Sequence, residues 1–192
     1  VLAAAREVGV ERVVVTSSLA AAAGGRGWPQ GHVHTAADWT DVGDGSVTPY
    51  EKSKTLAERS AWAFVDAEAG PELVTILPGA VLGPMLSDKA STSIDLVRVL
   101  MLRSLPGCPR LAFNLVDVRD VACAHVAALE ARAAAGQRFL CALPPVTLAE
   151  IADILHRGLG PRGFRIPQRP IPDWVMRIGA LFDPTARRTL PF

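Results

Sequence analysis

The sequence lacks most of the features that assign a protein by composition alone. Its three cysteines, Cys108, Cys123 and Cys141, are odd in number and widely spaced, with no CxxC pair. That excludes a disulfide framework and suits free thiols in a reducing compartment. Charge of one sign is missing too: 20 basic and 19 acidic residues leave a net +1. With these charges scattered along the chain, no footprint for nucleic acid or an anionic membrane is expected. No apolar run is long enough to cross a bilayer, because the stretch from Val1 to Ala23 is interrupted by Arg6, Glu7, Glu11 and Arg12. It does not read as a signal peptide either, and cytoplasmic residence is the expectation. The chain opens on Val1 and enters helical sequence at once without a capping residue, as though entered in mid-fold.

What is present is a chain of 192 residues, 49% hydrophobic and rich in alanine, long enough to bury one core. Val1 to Glu7 reads as the end of a helix stopped by Gly9, and Arg12-Val-Val-Val-Thr16 as a buried strand of β-branched residues. Leu19 to Pro49 has no sustained period and reads as a long connection of the kind that carries function. A helix is expected from about Tyr50 to Ala69, then a strand over Leu73–Leu77 stopped by Pro78-Gly79, with a further turn at Gly83-Pro84. Helices over Ile94–Arg103, Val118–Ala135 and Leu148–Leu159 and a strand over Phe139–Ala142 follow, with one more apolar helix around Trp174–Phe182. Asp117 with Asp120, and Thr147 with Glu150, stand at capping-box spacing. Alternation of short apolar strands with helices points to an α/β fold built on a parallel sheet.

The most informative segment is Tyr50-Glu-Lys-Ser-Lys54 at the start of a predicted helix. Residues four apart share a helix face, so the Lys54 ammonium is placed to stabilise a phenolate at Tyr50. YxxxK alone is common on solvated helices, and its neighbours give it weight. Upstream, the strand runs straight into Ser17-Ser18, where an α/β sheet presents polar groups to a ligand. Downstream, the next strand ends in Leu77-Pro-Gly-Ala-Val-Leu-Gly-Pro84.

Four ordered blocks, Val-Val-Val-Thr-Ser-Ser (13–18), Tyr50-Glu-Lys-Ser-Lys-Thr-Leu-Ala-Glu58, the block at 77–84 and Val-Asp-Val-Arg-Asp-Val-Ala (116–122), resemble the extended short-chain dehydrogenase/reductases. Within them they resemble the dihydroflavonol reductase-like and aldehyde reductase-like branch, as far as about Leu159. The resemblance implies the C-terminal part of a Rossmann-like, doubly wound parallel sheet with a small substrate-binding lobe. It divides the chain into residues 1–82, the remainder of the cofactor-binding sheet with the catalytic residues, and 83–192, mostly substrate side.

It implies Ser18, Tyr50 and Lys54 as the catalytic set. Ser18 hydrogen-bonds the substrate oxygen, with Ser17 as the runner-up for that role. Tyr50 donates a proton to this oxygen, while Lys54 binds the nicotinamide ribose and favours the phenolate. Thr16, Ser17, Tyr50, Lys54, Pro78, Gly79, Ala80 and Val81 are the expected cofactor contacts, the last four as a turn against the nicotinamide. Simple strand termination is an equal alternative for that turn. The implied reaction is reduction of a small carbonyl compound by NADP or NAD, NADP being the family's preference, with a homodimer as the assembly to test. A nucleotide-sugar epimerase or dehydratase shares the same Ser/Tyr/Lys set and is the competing reading; an inactive remnant or binding module is the third. Ser-Ser-Leu-Ala after the strand favours the reductase.

The glycine-rich turn that cradles the cofactor's pyrophosphate in this family is missing, so the chain reads as a fragment with most of the cradle absent. Gly24-Gly-Arg-Gly27 follows a strand, but Trp28-Pro29 and a polar loop come next instead of a helix, so it is not that turn. His32 and His34 form an HxH pair without a nearby third histidine and read as a solvated loop pair, so no metal is expected. Asp117 to Asp120 is expected to cap its helix. Trp39 is expected in packing or at a pocket wall.

Overall fold

The computed structural model describes residues 1–67, 70–87 and 92–175. Two compact units contain them, one of Val1–Pro84 with Leu115–Leu143 and one of Met85–Asn114 with the described residues from Pro144 onward. This differs from a single division at residue 82, because the chain returns to the first unit to add a strand to its sheet.

In the first unit, α1 (Leu2–Glu7) ends at Gly9, whose φ of 73° lies in the left-handed region that favours glycine. Next come β1 (Arg12–Thr16), the single turn α2 (Ala20–Ala23), α3 (Pro49–Ala67), β2 (Glu72–Pro78) and β3 (Ala80–Leu82). After the second unit's first segment the chain returns with the end of β4 (Ala112–Asp117), then α5 (Val118–Glu130) and β5 (Arg138–Cys141). The main sheet has the order β1-β2-β5, all parallel, with Val13 opposite Leu73 and Ile76 opposite Phe139. Central β2 is buried along six of its seven residues, the continuous apolar run required of a strand covered on both faces. One core cluster gathers Val74, Ile76, Ala128 and Ala134, and another gathers Ala21, Ala22 and Leu77.

The helix expected to run to Ala135 stops at Glu130, and a 3-10 turn covers Arg132–Ala134. Arg12 of β1 supplies the reason. Its Nη1 donates to the carbonyls of Ala128, Leu129 and Ala131 at 2.9, 3.1 and 2.6 Å, ending the helix with a cation on its negative pole. The same guanidinium pairs with Glu72 on β2. α5 begins as its sequence indicates, with the Asp117 side chain accepting from the Arg119 N–H at 2.8 Å.

The second unit holds α4 (Thr92–Met101), the first half of β4, β6 (Pro145–Thr147) and α6 (Leu148–Leu159). Ala112–Asn114 pairs antiparallel with β6, while in the first unit Leu115–Asp117 pairs parallel with β3. α6 opens on the full reciprocal capping box between Thr147 and Glu150. The apolar helix expected around Trp174–Phe182 lies mainly outside the described residues, as do the last two residues expected for α3.

Candidate active site

Helix α3 carries the YxxxK segment, and its first turn is fixed by local chemistry. The Thr48 N–H and hydroxyl donate to Glu51 Oε2 at 2.6 and 2.7 Å, and the Glu51 N–H donates back to Thr48 Oγ1 at 3.3 Å. Pro49 takes the first helical position, where its missing N–H costs nothing. Thr48-x-x-Glu51 is a sequence signature for a helix start and marks this one more sharply than the onset of the apolar pattern.

Tyr50, the chain's sole tyrosine, is 59% exposed, and its hydroxyl donates to Ser18 Oγ across 3.4 Å. Ser18 follows β1, and its Oγ also accepts from the Ala20 N–H at 3.2 Å. Lys54 stands one turn along α3 from Tyr50, half-buried, with no hydrogen bond or ion pair among the described residues. Three polar side chains are thus brought together beyond the C-terminal end of β1, with two hydroxyls facing one another and an ammonium left for a ligand.

Ser17 goes elsewhere. It is buried, and its hydroxyl donates to Glu58 Oε2 at 2.5 Å. Glu58, on the inner side of α3, also accepts from Thr75 of β2 at 2.7 Å, Trp62 Nε1 at 3.4 Å and Arg138 Nε of β5 at 2.8 Å. Burial alone would push the Glu58 carboxyl up, but the bonds from Arg138, Ser17 and Thr75 together hold it below the usual carboxylate range. Arg138 also donates to the carbonyls of Ala36 and Asp38 at 2.6 and 2.7 Å and lies 3.6 Å over the Trp39 ring. Trp39 therefore serves packing, clamped with the long loop onto the sheet. Sequence reasoning missed this hub; the one trace of it was Glu58, one turn beyond Lys54.

Pro78 is buried and its carbonyl accepts from the Leu19 N–H at 2.9 Å, while the Gly79 N–H donates to the Cys141 carbonyl at 3.1 Å. Ala80 and Val81 leave the turn as β3, opposite Leu115 and Val116. Thr16 is exposed at the end of β1, its hydroxyl 2.7 Å from His125 Nε2.

Amides of the 24–27 glycine segment are already engaged within the loop: Gly24 N–H donates to Thr40 Oγ1 at 2.8 Å, Arg26 N–H to Ser46 Oγ at 2.9 Å and Asp44 Oδ2 at 3.3 Å, and Gly27 N–H to Asp44 Oδ2 at 3.1 Å. The Ser46 N–H and hydroxyl bind the other Asp44 oxygen and lead in holding this carboxyl low. A side chain at Gly24 would stand 2.9 Å from the Ala20 carbonyl oxygen, so this glycine serves close packing. The 24–27 segment is therefore no phosphate cradle, while the hydroxyls of Ser18 and Tyr50 and the ammonium of Lys54 are chemically suited to the nicotinamide end of a dinucleotide.

His32 and His34 are not a freely solvated pair. With Trp28 they form an aromatic cluster, Trp28 stacked on His32 at 4.9 Å and edge-on to His34 at 4.6 Å. Burial, then the neighbouring His32, pushes the His34 ring below its ordinary value. The hydrophobic ring contact, invisible in a spacing of two residues, draws both imidazoles in.

Among the described residues no helix is long and apolar enough to cross a membrane. A family model described as the NAD dependent epimerase/dehydratase family matches residues 1–142. The chain is 33% identical over 168 residues to the NADPH-dependent methylglyoxal reductase GRE2 of Saccharomyces cerevisiae, covering 77% of this chain and 47% of that protein. It is 31% identical over 183 residues to an anthocyanidin reductase of Vitis vinifera, covering 88% and 52%. The yeast Gre2 crystal structure with NADPH superposes with a TM-score of 0.72 at 30% identity, covering 84% of this chain and 52% of that one. The chain spans about half the length of the curated relatives it matches. It belongs to the NAD dependent epimerase/dehydratase family, the extended short-chain dehydrogenase/reductases, on the branch of the dihydroflavonol reductase-like and Gre2-like reductases.

Proposed function

We propose that this chain carries the proton-handling part of an NADPH-dependent reductase of small aldehydes or ketones. The observation that carries the reading is the pair of hydroxyls, Tyr50 Oη and Ser18 Oγ, facing each other 3.4 Å apart with Lys54 one turn away. That gap is long for a direct hydroxyl bond but suits one acceptor oxygen at about 2.7 Å from both. A carbonyl oxygen placed there receives a hydrogen bond from Ser18 and the proton of Tyr50 as it gains negative charge. The Lys54 ammonium stabilises the phenolate left behind and offers hydrogen bonds to the ribose hydroxyls of a nicotinamide nucleotide. Pro78 to Val81 provide a wall for the nicotinamide ring beside this site. The bound nucleotide supplies the hydride that the carbonyl carbon accepts. NADPH is preferred to NADH because the methylglyoxal reductase relative is named for it and the Gre2 structure holds it.

The test is made on a polypeptide that joins these residues to a glycine-rich dinucleotide-binding unit. Methylglyoxal and simple aldehydes are expected to give net oxidation of NADPH. Tyr50→Phe is expected to lower turnover by about 100- to 10,000-fold while nucleotide binding persists. Unchanged turnover removes Tyr50 from the reaction, and isomerisation of a sugar nucleotide without net NADPH loss replaces the reductase by an epimerase.

A further inference from the structure

The loop between α2 and α3 carries a cluster that carbonyl reduction does not use. His32, His34 and Asp38 each offer a ligand atom, and these atoms lie within 4.8 Å of one another. His32 Nε2 stands 3.1 Å from Asp38 Oδ2. Two zinc bonds of about 2.0–2.2 Å meeting near the tetrahedral angle hold their outer atoms roughly 3.3–3.5 Å apart, so this pair is already near coordination spacing. His34 Nδ1 is buried and has no hydrogen-bond partner among the described residues.

The surroundings fix the orientation of the three groups. Asp38 Oδ2 accepts from the Thr35 N–H at 2.7 Å and the Thr35 hydroxyl at 3.2 Å. Trp28 holds both imidazoles, whose ring centres are 4.9 Å apart at an interplanar angle of 81°. The carbonyls of Ala36 and Asp38 are tied by Arg138 to the main sheet.

We propose that His32, His34 and Asp38 form a binding site for a divalent transition metal ion, zinc above all, that cross-links the 32–38 segment of the loop. Two imidazoles, which are borderline donors, with one carboxylate make a set that zinc accepts, whereas hard cations such as magnesium and calcium prefer all-oxygen sets. Water completes the fourth position. Because the loop is also held by Arg138, the ion acts as a structural clasp, with no part in proton or hydride transfer.

Calorimetric titration of the metal-free chain with zinc chloride tests this directly, alongside magnesium chloride as a control. The expected result is saturable single-site binding of zinc and none of magnesium. His34→Ala is expected to weaken it by about 100-fold or more, since even loss of a group supporting a ligand costs 10- to 100-fold. His156→Ala on α6 is expected to leave it unchanged, as is Cys123→Ser, which removes an exposed thiol. Circular dichroism reports whether each variant folds; should His34→Ala fail, His32→Ala at the exposed member reads the same loss. Absence of saturable zinc binding, binding that survives the histidine substitution, or binding abolished by Cys123→Ser overturns the site.

Discussion

Helix α3 presents two surfaces, one after the other along a single face, that differ in how their polar groups are satisfied: an inner one around Glu58 and an outer one around Tyr50 and Lys54. Around Glu58 every carboxylate oxygen has a donor, and Ser17, Thr75 and Arg138 converge from the residue after β1, from β2 and from β5. Two turns earlier Tyr50 is exposed, and one turn earlier Lys54 has no partner among the described residues. Adjacent serines divide in the same way, Ser17 inward to the carboxylate and Ser18 outward to the phenol. The helix thus separates a tightly bonded stretch from an open one: the inner contacts fix where the outer groups stand, and the outer groups are left largely unengaged among the described residues.

The sharpest way to break this contrast is Glu58→Ala. Removing the carboxylate leaves the Arg138 guanidinium buried without its counter-charge and two hydroxyls without an acceptor, a change expected to cost about 3–5 kcal/mol. Urea denaturation of the chain followed by circular dichroism measures it. Tyr50→Phe on the outer surface is expected to stay within about 0.5 kcal/mol of the parent in the same measurement. Similar losses for the two would show that the helix has no such division.

A smaller effect follows from acid. Glu58 is held below the usual carboxylate range in the folded chain, so the unfolded chain takes up its proton first as pH falls. Its contribution is complete above the ordinary glutamate value of 4.5 and is lost as pH drops through the lowered folded value. Asp44 and Asp117 are lowered as well, Asp117 to about 2 through its bonds from Arg119. The informative quantity is therefore the difference between parent and Glu58→Gln. Their stability gap is expected to be largest near neutrality and to narrow below pH 4.5; a gap independent of pH would show that Glu58 does not carry the charge in that hub.

The outer surface was more legible in the sequence than the inner one. Tyr50 and Lys54 share a spacing, and the four ordered blocks place Ser18 beside them. β1 at Arg12–Thr16 and α6 at Leu148–Leu159 fall where the apolar run and the capping box put them. Glu58 and Arg138 are 80 residues apart, and neither local pattern nor composition says that they meet. The short strands were hidden for a related reason. β3 and β6 have three residues each, and β4 changes partner halfway along, so their existence depends on distant pairing more than on local preference. The end of α5 is likewise set by Arg12, from the other end of the first unit.

The smallest expected effect lies where the two surfaces begin. Thr48 and Glu51 close a reciprocal box on either side of Tyr50, satisfying N–H groups that the helix itself leaves unpaired. Thr48→Ala removes the hydroxyl from both sides of that exchange and is expected to cost about 1 kcal/mol. The position matters more than the size. Fraying of the first turn displaces Tyr50 from Ser18, whereas Glu58 sits too far along α3 to be released. In a reductase built on these residues, Thr48→Ala should therefore lower turnover more than its small stability loss implies, and leave the denaturation slope as in the parent. A loss of stability with turnover intact would mean that Tyr50 is held by something other than the cap of its own helix.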